Sequence, residues 1–220
     1  MTFNSATYLL NRSKYSRPQA ILWSNNDGTL ETIPDPSDPQ KTISVYTPTG
    51  HEIGSDPSGL SLSDLNQFMI LSDHNRGPLG ISTDRIEKRE RTINGKMRSY
   101  HIADKLKFDL AWSDLPSRSF SDLPNFNDTG KPTTGLSDHT VDGGAGGADL
   151  LNWYKTHVGP FYMFLAYDNN YQFVGNDTRF KMMKYYNEVV EVYISGFNYN
   201  IKKRGNLMDL WDITINLEEV

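Results

Sequence analysis

Two charged segments, Arg85–Thr92 and Met97–Ala103, flank the dipeptide Asn94-Gly95. Asn-Gly between strand-like runs is the strongest short-range hairpin signal, because both residues tolerate the positive φ of a tight turn. On the first segment Ile86, Lys88, Glu90 and Thr92 alternate with Glu87, Arg89 and Arg91. Neither set is apolar enough to face a core. A hairpin polar on both faces has to project, and its stability has to come from neighbours. The rest of the chain must therefore supply a body that roots the hairpin and leaves it outside.

The charge is distributed to match. Asp84–Lys107 holds eight basic residues and four acidic ones, a balance of +4. The whole chain carries −5 over 220 residues, so everything outside this segment carries −9. A basic element on an acidic body can contact nucleic acid. It can equally contact the acidic face of another copy. A third reading is a solvated ribbon whose charges keep a strand edge from aggregating.

The body reads as mainly β. Leu106, Phe108, Leu110 and Trp112 alternate with polar residues, as do Trp211, Ile213, Ile215 and Leu217. Each run predicts a strand buried on one face. Phe161–Tyr167 and Glu188–Gly196 predict buried strands, with a continuation or partner over Phe197–Lys203 and a weaker strand over Phe180–Tyr186. Thr42–Thr47 predicts a short strand. Asn25-Asn26-Asp27-Gly28 predicts a turn joining Ala20–Ser24 to Thr29–Ile33. Leu60–Leu71 fits a short helix capped by Ser61. The clearest helix spans about 148–158, with Asp149 in its first turn and a stripe of Leu150, Leu151, Tyr154 and Val158. Two long loops are expected, at about 34–59 and 113–147. The first contains three prolines in Pro34–Pro39, and the second ends in a glycine-rich run. The fold class expected is an antiparallel β-sandwich or barrel with one flanking helix and a projecting basic hairpin over about 85–103, all in one domain spanning 1–220.

A reactive centre does not emerge from the sequence. Cysteine is absent, which excludes disulfide scaffolds, cysteine-ligated metals and thiol catalysis. The five histidines are not paired at metal-ligating spacing. Asp142–Asp149 precedes the helix with four glycines, but Asp149 stands where a dinucleotide fingerprint needs glycine, and the Lys-Ser/Thr of a phosphate loop is missing. No catalytic residue, cofactor or metal is expected. No apolar run reaches membrane-span length, and no signal peptide is read at the start. Aromatics make up 12% of the chain and cluster in the strands, at Phe161, Tyr162, Phe164 and Tyr167, then at Tyr185, Tyr186, Tyr193, Phe197 and Tyr199. Core and subunit interface are the expected uses, with a sugar- or base-stacking platform as the alternative.

Residues of about 80–220 carry a further pattern. Glu87-Lys88-Arg89-Glu90-Arg91 and Asn94–Tyr100 lead through Ala103-Asp104-Lys105 to a strand ending Ala111–Pro116. A glycine-rich loop, Asp149–Tyr154, Lys202–Gly205 and Leu210–Val220 follow. This pattern resembles bacteriophage tail structural proteins of the tail-tube or distal-tail kind. The resemblance implies a non-enzymatic subunit forming hexameric rings with itself, alongside other tail or baseplate proteins. It implies a virion location after assembly in the host cytoplasm, and a channel that passes DNA without sequence-specific binding. The long hairpin would then reach a neighbouring copy, and Arg89, Arg91, Arg98 and Tyr100 are the expected interface residues. A carbohydrate-binding β-sandwich for host-surface adsorption is the alternative reading.

Overall fold

The computed structural model describes residues 21–35, 38–47, 68–118, 120–121, 125–126, 132–133, 137–141, 144–166, 186–206 and 208–220. Seven strands form one antiparallel sheet. In chain order they are β1 (Ile21–Ser24), β4 (Phe68–Ile70), β5 (Gly80–Arg91), β6 (Met97–Pro116), β11 (Phe161–Leu165), β12 (Glu188–Lys203) and β13 (Leu210–Glu219). Their order across the sheet is β4-β1-β11-β12-β13-β6-β5. A separate ribbon pairs β2 (Thr29–Asp35) with β3 (Asp38–Thr47). Four two-residue strands, β7 (Phe120–Ser121), β8 (Asn125–Phe126), β9 (Pro132–Thr133) and β10 (Ser137–Asp138), form two small ladders. The one helix among the described residues, α1, spans Gly147–Thr156.

The sheet is rolled, and chain length shows why. Ile70 in β4 opposes Leu22, while Arg76 bridges Trp112 on the edge of β6 that β5 also uses. In a flat sheet those positions would lie six strand spacings apart, about 29 Å. The chain from Ile70 to Arg76 reaches at most about 21 Å. The two ends of the sheet must therefore curl toward each other, with Leu71–Leu79 crossing between them. The Gly77 N–H donates to Ala111 O at 2.8 Å and the Ser113 N–H to Asn75 O at 3.2 Å, which holds the crossing in place. Of the sandwich and barrel forms expected, the rolled, barrel-like one is found.

Six of the seven strands of the large sheet turn a buried face to the interior; β5 contributes no fully buried side chain. Ile21, Trp23, Met69, Phe108, Leu110, Trp112, Phe161, Met163, Leu165, Val190, Val192, Trp211, Ile213, Ile215 and Leu217 form a single buried cluster. Each obeys the two-residue period of its strand. A smaller cluster of Leu22, Phe164 and Tyr186 forms on the opposite side, against Tyr46. Tyr46 and Tyr186 exchange backbone hydrogen bonds of 2.9 Å, docking the β2–β3 ribbon there.

Helix α1 closes the interior. The Asp149 carboxylate accepts a hydrogen bond from the Gly146 N–H at 2.8 Å, satisfying a donor at the helix start. Two glycines let it pack close. A Cβ on Gly146 would lie 2.6 Å from the Arg118 backbone, and one on Gly147 2.9 Å from the Trp211 ring. The glycine-rich run read as a loop thus ends as a tightly packed joint.

Several expectations change. The Asp27-Gly28 turn has the positive φ expected of Gly28, but β1 pairs with β4 and β11 rather than β2. The proline-bearing stretch is not wholly loop, since Pro34 lies in β2 opposite Thr42. A two-stranded ribbon has free edges, and there a missing N–H costs no ladder bond. Phe68 and Met69 belong to a strand, not a helix; the Ser61 cap lies outside the described residues. The second long loop also contains the four short strands. Most of the Phe180–Tyr186 candidate lies outside the described residues; Tyr186 forms a bridge. The helix ends at Thr156, short of the expected 158; it buries Leu150 and Trp153 and exposes Tyr154, and Val158 lies exposed beyond its end. Trp23 and Phe161 offer Trp153 ring contacts at 6.1 and 5.6 Å, so the larger indole takes the inside.

Candidate interaction surface: the projecting hairpin

β6 is one strand with two environments. From Phe108 to Ser113 it alternates buried and exposed residues beside β13, and it ends in buried Leu115 and Pro116; from Met97 to Lys107 none of its side chains is fully buried. Its pairing with β13 stops at Lys107, opposite Glu218. Beyond that point β5 and β6 pair only with each other, as far as Arg91 and Met97. About nine residues of paired ribbon at about 3.3 Å each give an arm of about 30 Å. The expected hairpin is present, and it is longer and more deeply rooted than 85–103.

The tip is a three-residue loop rather than a two-residue one. The Gly95 N–H donates to Thr92 O at 2.8 Å, and the Thr92 N–H to Lys96 O at 2.9 Å. Gly95 has φ +73°, which a glycine adopts without penalty.

A register shift between Ile86 and Glu87 makes Ile102 an extra residue on β6, a β-bulge. The bulge resets the alternation beyond it and gives the arm two unlike faces. One face continues the barrel interior: Arg85, Glu87, Arg89 and Arg91 oppose Asp104, His101, Ser99 and Met97. The first three of these pairs form a polar network; Arg91 and Met97, at the tip end, lie outside it. The Arg85 Nε donates to Asp104 Oδ1 at 2.9 Å, and His101 Nε2 lies 3.0 Å from the same oxygen. Arg89 and Ser99 both donate to the Glu87 carboxylate. The other face carries Ile86 opposite Ala103, Lys88 opposite Tyr100 and Glu90 opposite Arg98. Ile86 and Tyr100 are 45% and 60% exposed, an apolar centre within a charged border.

Electrostatics follow the geometry. Hydrogen bonding to Arg85, then to His101, holds the Asp104 carboxyl below its ordinary range. Ser99 and then Arg89 do the same for Glu87. Depressed carboxyl values mean that the network is intact above the ordinary carboxylate range and is lost as pH falls through the lowered values. In an NMR titration Asp104 should therefore show its midpoint below 3.8, and Arg85→Gln should move that midpoint up. An unchanged midpoint in Arg85→Gln would remove Arg85 from the network. Near the root, Lys107 bonds Asp84 at 2.9 Å, and the Leu106 N–H donates to the Glu219 carboxylate at 2.7 Å.

The four residues expected from sequence all lie on this arm but not together. Arg89 and Arg91 stand on the network face, and Arg89 is engaged by Glu87. Arg98 and Tyr100 stand on the opposite face. Arg91, Lys96 and Arg98 have no ion-pair partner among the described residues, so unpaired positive charge gathers at the tip. Ile86 and Ile102 went unnoticed as candidates. Their signal was two large aliphatic residues in an otherwise charged ribbon. Of the other aromatic candidates, Phe161, Phe164 and Tyr186 are buried and Tyr167 and Tyr185 lie outside the described residues, while Phe197 and Tyr199 stack in a strip, Phe197 on Tyr154 at 4.7 Å and Tyr199 on Trp211 at 5.1 Å.

Among the described residues no three His, Asp or Glu side chains gather in a way that could hold a metal ion, and no helix is long and apolar enough to cross a membrane. No family model matches the chain, and no curated protein matches it. Among solved structures it is similar to a chain described as "Tail of empty GTA particle computed with helical refinement, C6 symmetry". The two share 10% identity over 73% of this chain and 87% of that one, with a TM-score of 0.35. Similarity at that level assigns the chain to no family.

Proposed function

We propose that this chain is a non-enzymatic structural subunit that assembles with copies of itself, as a tube or baseplate-proximal ring component of a bacteriophage tail. The observation that carries the reading is the arm. Beyond root contacts of Lys105 and Leu106 with Glu219 and Val220, the ribbon of about 30 Å pairs only with itself among the described residues, and Asp84–Lys107 bears +4 where the remainder bears −9. A charged arm on an oppositely charged body is self-complementary between copies, and a closed ring satisfies every copy alike. The resemblance over about 80–220 supplies the tail setting. In that setting the chain acts as one domain over 1–220, the ring is a hexamer built in the host cytoplasm, and its partners are other tail and baseplate proteins. An acidic channel wall would let DNA pass without adhering.

Self-assembly is the test. Purified protein examined by sedimentation velocity and negative-stain microscopy should form rings or tubes as concentration rises. A protein that stays monomeric throughout the accessible range would overturn the reading.

A further inference from the structure

The two faces of the arm differ in what they still need. On the network face each carboxylate already has its donors: Asp104 holds Arg85 and His101, and Glu87 holds Arg89 and Ser99. Covering that face would strip water from a satisfied charged network and return little, since burying ion pairs costs several kcal/mol per ion. The other face holds exposed Ile86 and Tyr100 with Arg98 beside them, and its Lys88–Glu90 ion pair, 2.6 Å long, has both side chains more than half exposed, so it can stay at the rim of a contact. It offers apolar area, an aromatic ring and a cation, the composition that anchors protein interfaces.

We infer that the arm is one-sided, docking on a second copy of this chain through its Ile86–Tyr100–Arg98 face while its Arg85–Glu87–Arg89 face stays in water. This rests on the assembly reading above and adds which side of the ribbon makes the contact. The occupant is a second copy because the +4 of the arm and the −9 of the remainder are complementary between copies. The charge balance also makes the acidic complement available on the body of every copy. The bulge at Ile102 is the device: by shifting the alternation it keeps His101 with Asp104 on the network side and Tyr100 on the other.

Area adds a second consequence. Two strands at about 4.8 Å spacing and about 30 Å length present about 300 Å² per face. Counting both partners, one such contact buries about 600 Å², below the roughly 1,200 Å² of a stable complex. A single arm contact therefore does not hold a pair. Copies persist together when each donates one arm and receives another or adds a further contact.

The chain has no cysteine, so a single introduced thiol reports on one place. Lys88 and Arg89 are neighbours on opposite faces, with side chains 71% and 64% exposed. In Lys88→Cys, maleimide labelling should slow about ten-fold or more on assembly, whereas in Arg89→Cys it should stay within about two-fold of the unassembled rate. As a second measure, Tyr100→Ser should raise the concentration needed for assembly about ten-fold or more, and Arg89→Gln should leave it within about two-fold. Circular dichroism of each variant checks that the body is folded. Equal protection at both positions, or protection at position 89 alone, would overturn the one-sided arm while leaving the assembly reading intact. An unmutated chain that never assembles would overturn both.

Discussion

Replacing Trp112 with alanine should lower the unfolding free energy by about 3–5 kcal/mol, the range for truncating a large aromatic residue in a core. Trp112 is 2% exposed and lies opposite Ile213 in the interior layer. Its indole N–H donates to Ser72 O at 2.8 Å, and Arg76 bridges its backbone. The residue thus fills the barrel and ties down the segment that crosses between the two ends of the sheet. Alanine would leave a cavity and also strand the Ser72 carbonyl. Trp112→Phe separates these effects: most of the apolar contact survives, and the lost hydrogen bond should cost about 1–3 kcal/mol. Denaturant unfolding of the three proteins gives both numbers. A loss below about 1 kcal/mol for alanine would mean that the crossing segment is not packed on Trp112.

The second large effect concerns the arm. Arg85 and Asp104 are directly opposed, so residues 86–103 can be replaced by Asn-Gly to make a short hairpin. No residue from 86 to 103 belongs to the buried core. The shortened protein should melt within about 4 °C of the parent, the shift corresponding to about 1 kcal/mol in a chain of this size. Its assembly should be lost, with the concentration required rising about a hundred-fold or more, which corresponds to removing contacts worth about 3 kcal/mol. Sedimentation velocity on both proteins measures this. Normal assembly without the arm would show that the copies meet elsewhere. A large fall in melting temperature would show that the arm supports the body.

Legibility in the sequence follows the distance over which a pattern is specified. The arm was readable because Asn94-Gly95 and its flanking charges are adjacent in the chain. So were the inner residues of β13, whose alternation is unbroken from Trp211 to Leu217. The partners of β1 were not readable: Ile21 meets Leu165, and nothing near Ile21 encodes that register. Asp27-Gly28 advertised a local hairpin that this remote pairing outcompetes. The helix showed the same limit. Its apolar residues fit more than one stripe, and Trp23 and Phe161, both distant in sequence, decide that Trp153 goes inside. The candidate surface was readable as a segment but not as a side. Arg89 and Arg98 look equivalent in the sequence; one bulge and one register place them on opposite faces.

The order of strands in the rolled sheet also imposes a schedule. β5 and β6 find each other across a three-residue loop, on the microsecond scale of hairpins. β1 has to wait for β11, synthesised much later, and the entropy of closing so large a loop delays the barrel further. During synthesis the charged ribbon therefore emerges before β11, β12 and β13, the strands that complete the interior. Its mixed charges then act as a solubilising handle on an unfinished, aggregation-prone chain. The ribbon that reaches outward in the mature protein thus precedes, along the chain, β13, the strand that roots it.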